Sequence, residues 1–467
     1  MKAWKEGTSM IEERNEKDDV QFDEAHLRGM LEAHNIDAFR DEFLELHPYD
    51  QATFYEKVEP DIRKIIYSFL SPTEMADIFQ AIDIEDDEYK AYLAEMDPSY
   101  GAEMLSHMYA DDAADVLNEL DLAQRESYLE MMDEETAEEI NELLSYDEYT
   151  AGSIMTTEYV AIPENSTVRS AMAILRKEAP DAETVYYIFV VDEEHRLTGV
   201  ISLRDLIIAD EDTRIRSIMN ERVVMVHAND DQEEVAQIMK DYNFLATPVI
   251  DDKGELLGII TVDDIIDVID EEASEDYSKL AGISDMDKFD VTPFQAAKKR
   301  LPWLVVLLFL GMLTANLMGQ FEDTLDKVAL LAVFIPLISG TSGNSGTQAL
   351  AVAIRGIATG DVEEHSKFKL LLREAGTGLM SGVVCGLIVI GIVYFWKHEL
   401  VLGMLVGAAL CGSILVATLA GSFIPLLMHR LKIDPAVASG PFITTLNDIT
   451  SILIYLGLAT VFLSQIG

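Results

Sequence analysis

Basic residues are scarce in this 467-residue chain: 34 Lys and Arg stand against 84 Asp and Glu, a formal net charge of −50. So acidic a surface repels phosphate, and nucleic-acid binding, which needs clustered Lys and Arg, is excluded. Cysteine is nearly absent. Cys385 and Cys411 both lie in apolar segments, which rules out a disulfide-stapled secreted domain. The first residues, Met1-Lys2-Ala3-Trp4 running into Glu, Asp and Lys, lack the apolar stretch of a signal peptide, and residues 1–25 are expected to be a disordered tail of mixed, mainly acidic charge. No P-loop, nucleophile–base motif or HExxH occurs, so no enzyme is expected.

What is present divides sharply. Residues 301–467 hold 8 basic and 10 acidic side chains, leaving 26 basic and 74 acidic in residues 1–300. An acidic soluble part therefore precedes a nearly uncharged apolar part. Crossing about 30 Å of hydrocarbon takes about 20 apolar residues in a helix. Leu301–Phe321, Val328–Ile354, Ala375–Trp396, Leu400–Met428 and Phe442–Ile466 supply five such spans, and only the last contains a charge, Asp448. The loops bordering one side carry nine Lys and Arg, against two, Lys327 and Lys397, on the other. The basic excess places the acidic part in the cytoplasm and the C-terminus outside, in a multi-pass protein of the cell membrane. Glycines at Gly378, Gly382, Gly386, Gly403 and Gly407 are spaced for close helix packing, within one chain or between chains.

Residues 26–149 are rich in Ala, Leu, Glu and Met at helical spacing, with weakly similar copies at Thr73, Asp111 and Glu135, and predict a helical superhelix whose joints fall at Pro48, Pro60, Pro72 and Pro98. Ser, Asp or Thr ahead of each copy is expected to cap its helix. Two related copies follow, residues 150–213 and 214–269. Ser153-Ile-Met-Thr recurs as Ser217-Ile-Met-Asn, and Leu197-Thr-Gly-Val-Ile-Ser-Leu-Arg-Asp as Leu256-Leu-Gly-Ile-Ile-Thr-Val-Asp-Asp, with a longer loop at 177–184 in the first. Each predicts helix, β-branched strands, then a strand–turn–helix, a pattern that resembles a tandem pair of CBS modules. Ser202-x-x-Asp205 and Thr261-x-x-Asp264 fall at helix starts, where they serve as caps; the resemblance implies that this position also touches the ribose of adenine nucleotides such as ATP.

The run from Asp263 to Asp276 places carboxylates around Ile and Val, with Asp264, Asp267 and Glu271 on one helix face. Such a face either stays solvated or takes a hard divalent cation with oxygen ligands. In the membrane part Asp448, beside Asn447 and after Thr444 and Thr445, has no Lys or Arg in any span to pair with. A carboxylate at that depth faces a wet interior or a partner. Ser339 to Gln348, polar and glycine-rich, is expected to break the second span and line a cavity, Asn344 included; the alternative is a glycine-packed helix contact.

Together with Gly340-Thr-Ser-Gly-Asn-Ser-Gly-Thr-Gln and Asp434-Pro-Ala…Ser439-Gly-Pro-Phe-Ile-Thr-Thr-Leu-Asn-Asp448, this order of segments resembles the MgtE magnesium channels and transporters over almost the whole chain. The resemblance implies a homodimer in membrane lipid, a Mg2+ pathway at Asp448 with Asn447, Thr444 and Asn344, and closure by regulatory Mg2+. Its regulatory ligands carry over to Asp111 and Asp115, and to Asp264, Asp267, Glu272, Glu275 and Asp276, with Asp434 meeting a connecting (plug) helix at 270–300 ahead of the pore domain at 301–467. Asn243 stands where some members have a ligand Asp, leaving Asp241 or a carbonyl to serve.

The expected function is thus a Mg2+-selective channel for Mg2+ uptake. One competing reading is a Mn2+ or Co2+ pathway, against which stands the lack of Cys, His or Met beside Asp448. The other is a nucleotide-sensing membrane receptor or scaffold, which has no need of Asp448 or of the polar stretch in the second span.

Overall fold

The computed structural model describes residues 22–82, 86–283, 292–359, 367–435 and 438–462, so most of the expected N-terminal tail lies outside the described residues. The chain divides into two compact units, residues 1–268 and 269–467.

The first unit begins with short helices from Glu24–Glu32 to Glu134–Leu143. Pro48, Pro60, Pro72 and Pro98 each open a helix, where their missing N–H costs no hydrogen bond. Side chains of Asp23, Ser71, Asp97, Asp121 and Asp133 cap helix starts, Ser71 in a reciprocal capping box with Glu74. Helix Ala110–Asn118, the second of the weak repeats, departs from this pattern. Its N-cap is Tyr109, which offers no side-chain acceptor, and the Ala110 N–H donates instead to the Glu158 carboxylate at 3.1 Å. A residue 48 positions on therefore replaces the expected local cap. Aromatic residues fill the core, Phe39, Phe43, Phe54 and Tyr55 being fully buried. Near them, buried Arg63 makes paired bonds to Glu95 at 2.8 and 2.7 Å, donates to the Val58 carbonyl, and stacks over Tyr92.

The two CBS modules form matching three-stranded sheets: Ala161–Pro163, Tyr187–Val191 and Leu197–Ser202 in one, Val226–His227, Ala246–Ile250 and Leu256–Thr261 in the other. In each, the first pair of strands is parallel and the second antiparallel. The repeated Ser-Ile-Met motif crosses over. Thr156, which opens the first copy, pairs with Ile259 of the second, and Asn220, which opens the second, pairs with Val200 of the first. Gly258 and Gly199 make room, since a Cβ on either would strike the crossing segment, Thr156 and Met155 or Met219 and Asn220.

Helix Val262–Ala281 carries the acidic run. It begins inside the segment assigned to the second CBS module and ends well short of residue 300, and a new helix starts at Pro293 behind a Thr292–Gln295 capping box. Among the described residues, five helices are long and apolar enough to cross a membrane: Pro293–Gly319, Ala329–Ala358, Lys367–Lys397, Leu400–Arg430 and Gly440–Val461. The glycines of the third and fourth spans meet within the chain, Gly386 against Gly407 and Gly382 against Cys411. The fifth span is pinned by Tyr455, whose buried hydroxyl donates to the Leu331 carbonyl at 3.0 Å.

The expected break in the second span does not occur. Residues Ile335–Ala358 form one helix, preceded by a short 3-10 turn at Ala329–Phe334. Hydroxyls of Thr341 and Ser342 bond back to carbonyls of their own helix, and Ser342 and Ser345 bond Ser451 and Thr418 on neighbouring helices. Two of its glycines, Gly343 and Gly346, are contact points. A Cβ on Gly346 would run into the Asn447 amide and press on the Ala417 carbonyl, and one on Gly421 would strike Gly346 itself. Neighbouring helices thus take up the polar groups, and the backbone stays regular.

Candidate ion pathway and cation-binding carboxylates

In the fifth span, Asp448 is half-buried and the Ser339 side chain of the second span lies beside its carboxylate. The other expected pathway residues divide. Asn447 is fully buried against Gly346, and Thr444 lies against Gly343, its hydroxyl bonded to the Gly440 carbonyl at 2.9 Å. Asn344 is exposed on the second span. Asn447 and Thr444 thus lie against glycines of the second span, whereas Asp448 presents a partly exposed carboxylate beside the Ser339 side chain. Ser339 was not singled out by sequence, although it begins the polar stretch.

A second group of carboxylates gathers in the first unit. One oxygen each from Glu183, Asp263 and Asp264 lie within 4.8 Å of one another. Asp264 is held by Thr261, whose hydroxyl donates at 2.7 Å, and Thr156, near Glu183, donates to Glu158 at 2.6 Å. The helical domain contributes from the first turn of Ala110–Asn118: Asp111 is buried, and Asp112 accepts from Gln80 at 2.9 Å. Burial and mutual repulsion raise Asp111, Asp112, Glu183 and Asp264. Asp264 reaches about 6, Asp112 about 7 and Glu183 about 8, with burial the leading cause, and Asp111 is pushed far up by burial and then by Asp112. One oxygen each of Asp111 and Glu183 is buried without a hydrogen-bond partner. Oxygen donors at this spacing, with unspent lone pairs and excess negative charge, fit Mg2+, which takes oxygen ligands and keeps part of its water.

The structure thus brings Asp111 and Asp264 together but leaves Asp115 and Asp267 exposed. Glu183 and Asp112 are members that sequence reasoning missed, whereas Asp263 opens the acidic run read from the sequence as a solvated or cation-binding face. The signal for Glu183 was the longer loop at 177–184 in the first module, which delivers it. Asp241 accepts from Gln237 at 2.8 Å on the exposed end of helix Gln232–Tyr242, apart from this cluster. Asn243 caps that helix in the left-handed region, φ 54°, where Asn is among the best tolerated residues.

A third group lies in the second unit, at the end of the acidic helix. Lys279 bonds Asp434 at 2.5 Å and pairs with Glu275 one turn back. Asp276 is raised to about 6, chiefly by burial and then by Asp434, with Glu272 adding repulsion.

The expected nucleotide residues separate too. Ser202 accepts from the Asp205 N–H at 3.2 Å and donates to its carboxylate at 2.6 Å, beside an open cleft of about 560 Å³ lined by Tyr186, Tyr187, Arg204, Ile207 and Leu245. Its repeat partner Thr261 is buried and committed to the Asp264 cluster.

The chain matches family models described as a divalent cation transporter at residues 335–458, an MgtE intracellular N domain at 46–149, and CBS domains at 151–212 and 215–271. It is 52% identical to a magnesium transporter MgtE of Enterococcus faecalis and 38% identical to one of Thermus thermophilus, covering 96% and 94% of this chain and 99% and 98% of those proteins. Among solved structures, the soluble part of a magnesium transporter shares 54% identity at a TM-score of 0.52, covering 54% of this chain and 98% of that one. The cytosolic domain of the Mg2+ channel MgtE in complex with ATP shares 40% at 0.50, covering 52% and 99%. The chain belongs to the MgtE family of magnesium transporters.

Proposed function

We propose that the protein is a Mg2+ channel for Mg2+ uptake across the cell membrane, working as a homodimer and closed by cytoplasmic Mg2+. The observation that carries the pathway is Asp448, a partly exposed carboxylate in a span, with the Ser339 side chain beside it. No Cys, His or Met adjoins it in sequence, so its chemistry suits a hard, hydrated cation. Among the described residues the first span, Pro293–Gly319, buries none of its side chains within the chain, which leaves a face for lipid and a second copy. The basic excess in alternate loops supports an outside C-terminus.

Closure rests on the raised acids. Asp111, Asp112, Glu183 and Asp264 repel one another when ionised, and a divalent cation held among them removes that repulsion only in the compact arrangement. Such differential affinity is what shifts a conformational equilibrium. Glu272, Glu275 and Asp276 on the acidic helix form the second such group, with Asp434 from ahead of the fifth span. The Ser202–Asp205 cleft is the adenine-nucleotide site, with Asp205 on the ribose and the aromatic and aliphatic walls on the base.

Mg2+ flux into proteoliposomes tests the pathway. Asp448→Ala is expected to lose flux while remaining folded. Retained flux would remove Asp448 from the pathway, and absence of flux in the intact protein would favour a nucleotide-sensing receptor.

A further inference from the structure

The end of the acidic helix is built as a seat. Lys279 is anchored to Asp434, 155 residues away, at 2.5 Å, and to Glu275 on its own helix. The helix end is fixed around it: Ser278 is buried, the Leu280 carbonyl abuts Gly440, and Gly282, at φ 73°, lies against the Trp303 indole. Glu275 and Asp434 hold the Lys279 ammonium there, and Asp276 feels its charge and those of Glu272, Glu275 and Asp434. Asp434 precedes the fifth span, which carries Asp448, so whatever holds Asp434 ties the acidic helix to the element that bears the pathway carboxylate.

We propose that Lys279 is a tethered competitor for the regulatory cation: its ammonium occupies the oxygens of Glu275 and Asp434 that a divalent cation would use, and so sets the Mg2+ concentration at which the protein closes. The proposal rests on the reading of these carboxylates as regulatory ligands given above. An ammonium donates hydrogen bonds to carboxylate oxygens, whereas Mg2+ takes the same lone pairs directly or through its water. The two cannot share one oxygen set. Tethering gives the amine a high effective concentration at all times, while Mg2+ competes by mass action with twice the charge. The apparent affinity for Mg2+ is therefore lower than the carboxylates alone would give, which keeps the protein open until cytoplasmic Mg2+ is plentiful.

The test uses the full-length protein with two readouts: flux against cytoplasmic Mg2+, and Mg2+-dependent protection from limited proteolysis, which needs no transport. Lys279→Met and Lys279→Gln are compared with Lys279→Arg. Both neutral variants are expected to close and become protected at Mg2+ concentrations about three- to tenfold lower, the scale of a partly exposed ion pair, with Lys279→Arg close to the wild type. Unchanged midpoints in the neutral variants, beside a Mg2+-sensitive wild type, would overturn the proposal alone. A shift to higher Mg2+, reversed by Lys279→Arg, would also overturn it and make Lys279 a strut of the closed state. A wild type insensitive to Mg2+ in both readouts would overturn the regulatory reading itself.

Discussion

Glu183→Gln discriminates between a cation-binding cluster and an ordinary acidic face. Burial, and then the Asp264 charge, raise Glu183 from 4.5 to about 8. A carboxyl raised on folding contributes stability that is fully present below its unfolded pKa and is lost as pH rises through the folded value. The loss therefore runs from about pH 4.5 to about pH 8. At about 1.4 kcal/mol per unit the ceiling at pH 7 is about 3 kcal/mol, and water at the open edge of the cluster lowers it to about 1–3 kcal/mol. Gln keeps the shape without the charge. Of 17 tyrosines only Tyr394 and Tyr455 lie beyond residue 300, so tyrosine near-UV dichroism of the purified chain follows the cytoplasmic unit. Without divalent ions at pH 7 the variant is expected to melt about 3–8 °C higher. The difference should shrink towards zero at pH 5, and millimolar Mg2+ should stabilise the wild type more than the variant. A variant that melts lower at pH 7, or that keeps the full Mg2+-induced gain, would refute the assignment of Glu183 to a cation-binding cluster.

Three further outcomes follow from the geometry. Arg63→Ala strands Glu95 and removes the cation over Tyr92, and is expected to cost about 3–5 kcal/mol in urea unfolding of the cytoplasmic unit; a loss under about 1 kcal/mol would show the pair to be solvated. Gly346→Ala overpacks the contact with Asn447 and should lower thermal stability by about 1–3 kcal/mol, with Asn447→Ala in the same chain restoring part of the loss; no recovery would mean that the Ala417 carbonyl sets the clash. Asp205→Ala should weaken binding of a fluorescent adenine nucleotide about tenfold, whereas Thr261→Val should leave it within about twofold. Equal losses from both would place the nucleotide between the modules rather than in the first.

Much of the architecture was legible because it follows from periodicity and charge. The five apolar spans, the prolines that open helices, and the two copies of the CBS pattern all appear where residue spacing puts them. Three features were not. The polar stretch of the second span reads as a break because Gly and Ser are poor helix formers in isolation, and only the facing Thr418, Asn447 and Ser451 supply the contacts that keep it helical. Helix Ala110–Asn118 takes its cap from Glu158, a tertiary contact that no local window contains. The carboxylate cluster was half visible. Asp111 and Asp264 followed from motif position, but Glu183 enters on a loop and Asp112 by one step along a helix, and the pairing of these elements is fixed by how the helical domain and the CBS modules fold together.

Of all these, Mg2+ dependence of the flux tests the central claim most directly. Mg2+ flux through the intact protein in liposomes is measured while Mg2+ on the face bearing the acidic domains rises from micromolar to millimolar, beside the Asp264→Ala and Glu183→Gln double variant. The account predicts a steep fall in wild-type flux and a weaker, right-shifted fall in the variant, with both fully open at low Mg2+. Flux that is independent of Mg2+ on that face, or a variant that closes like the wild type, would contradict it.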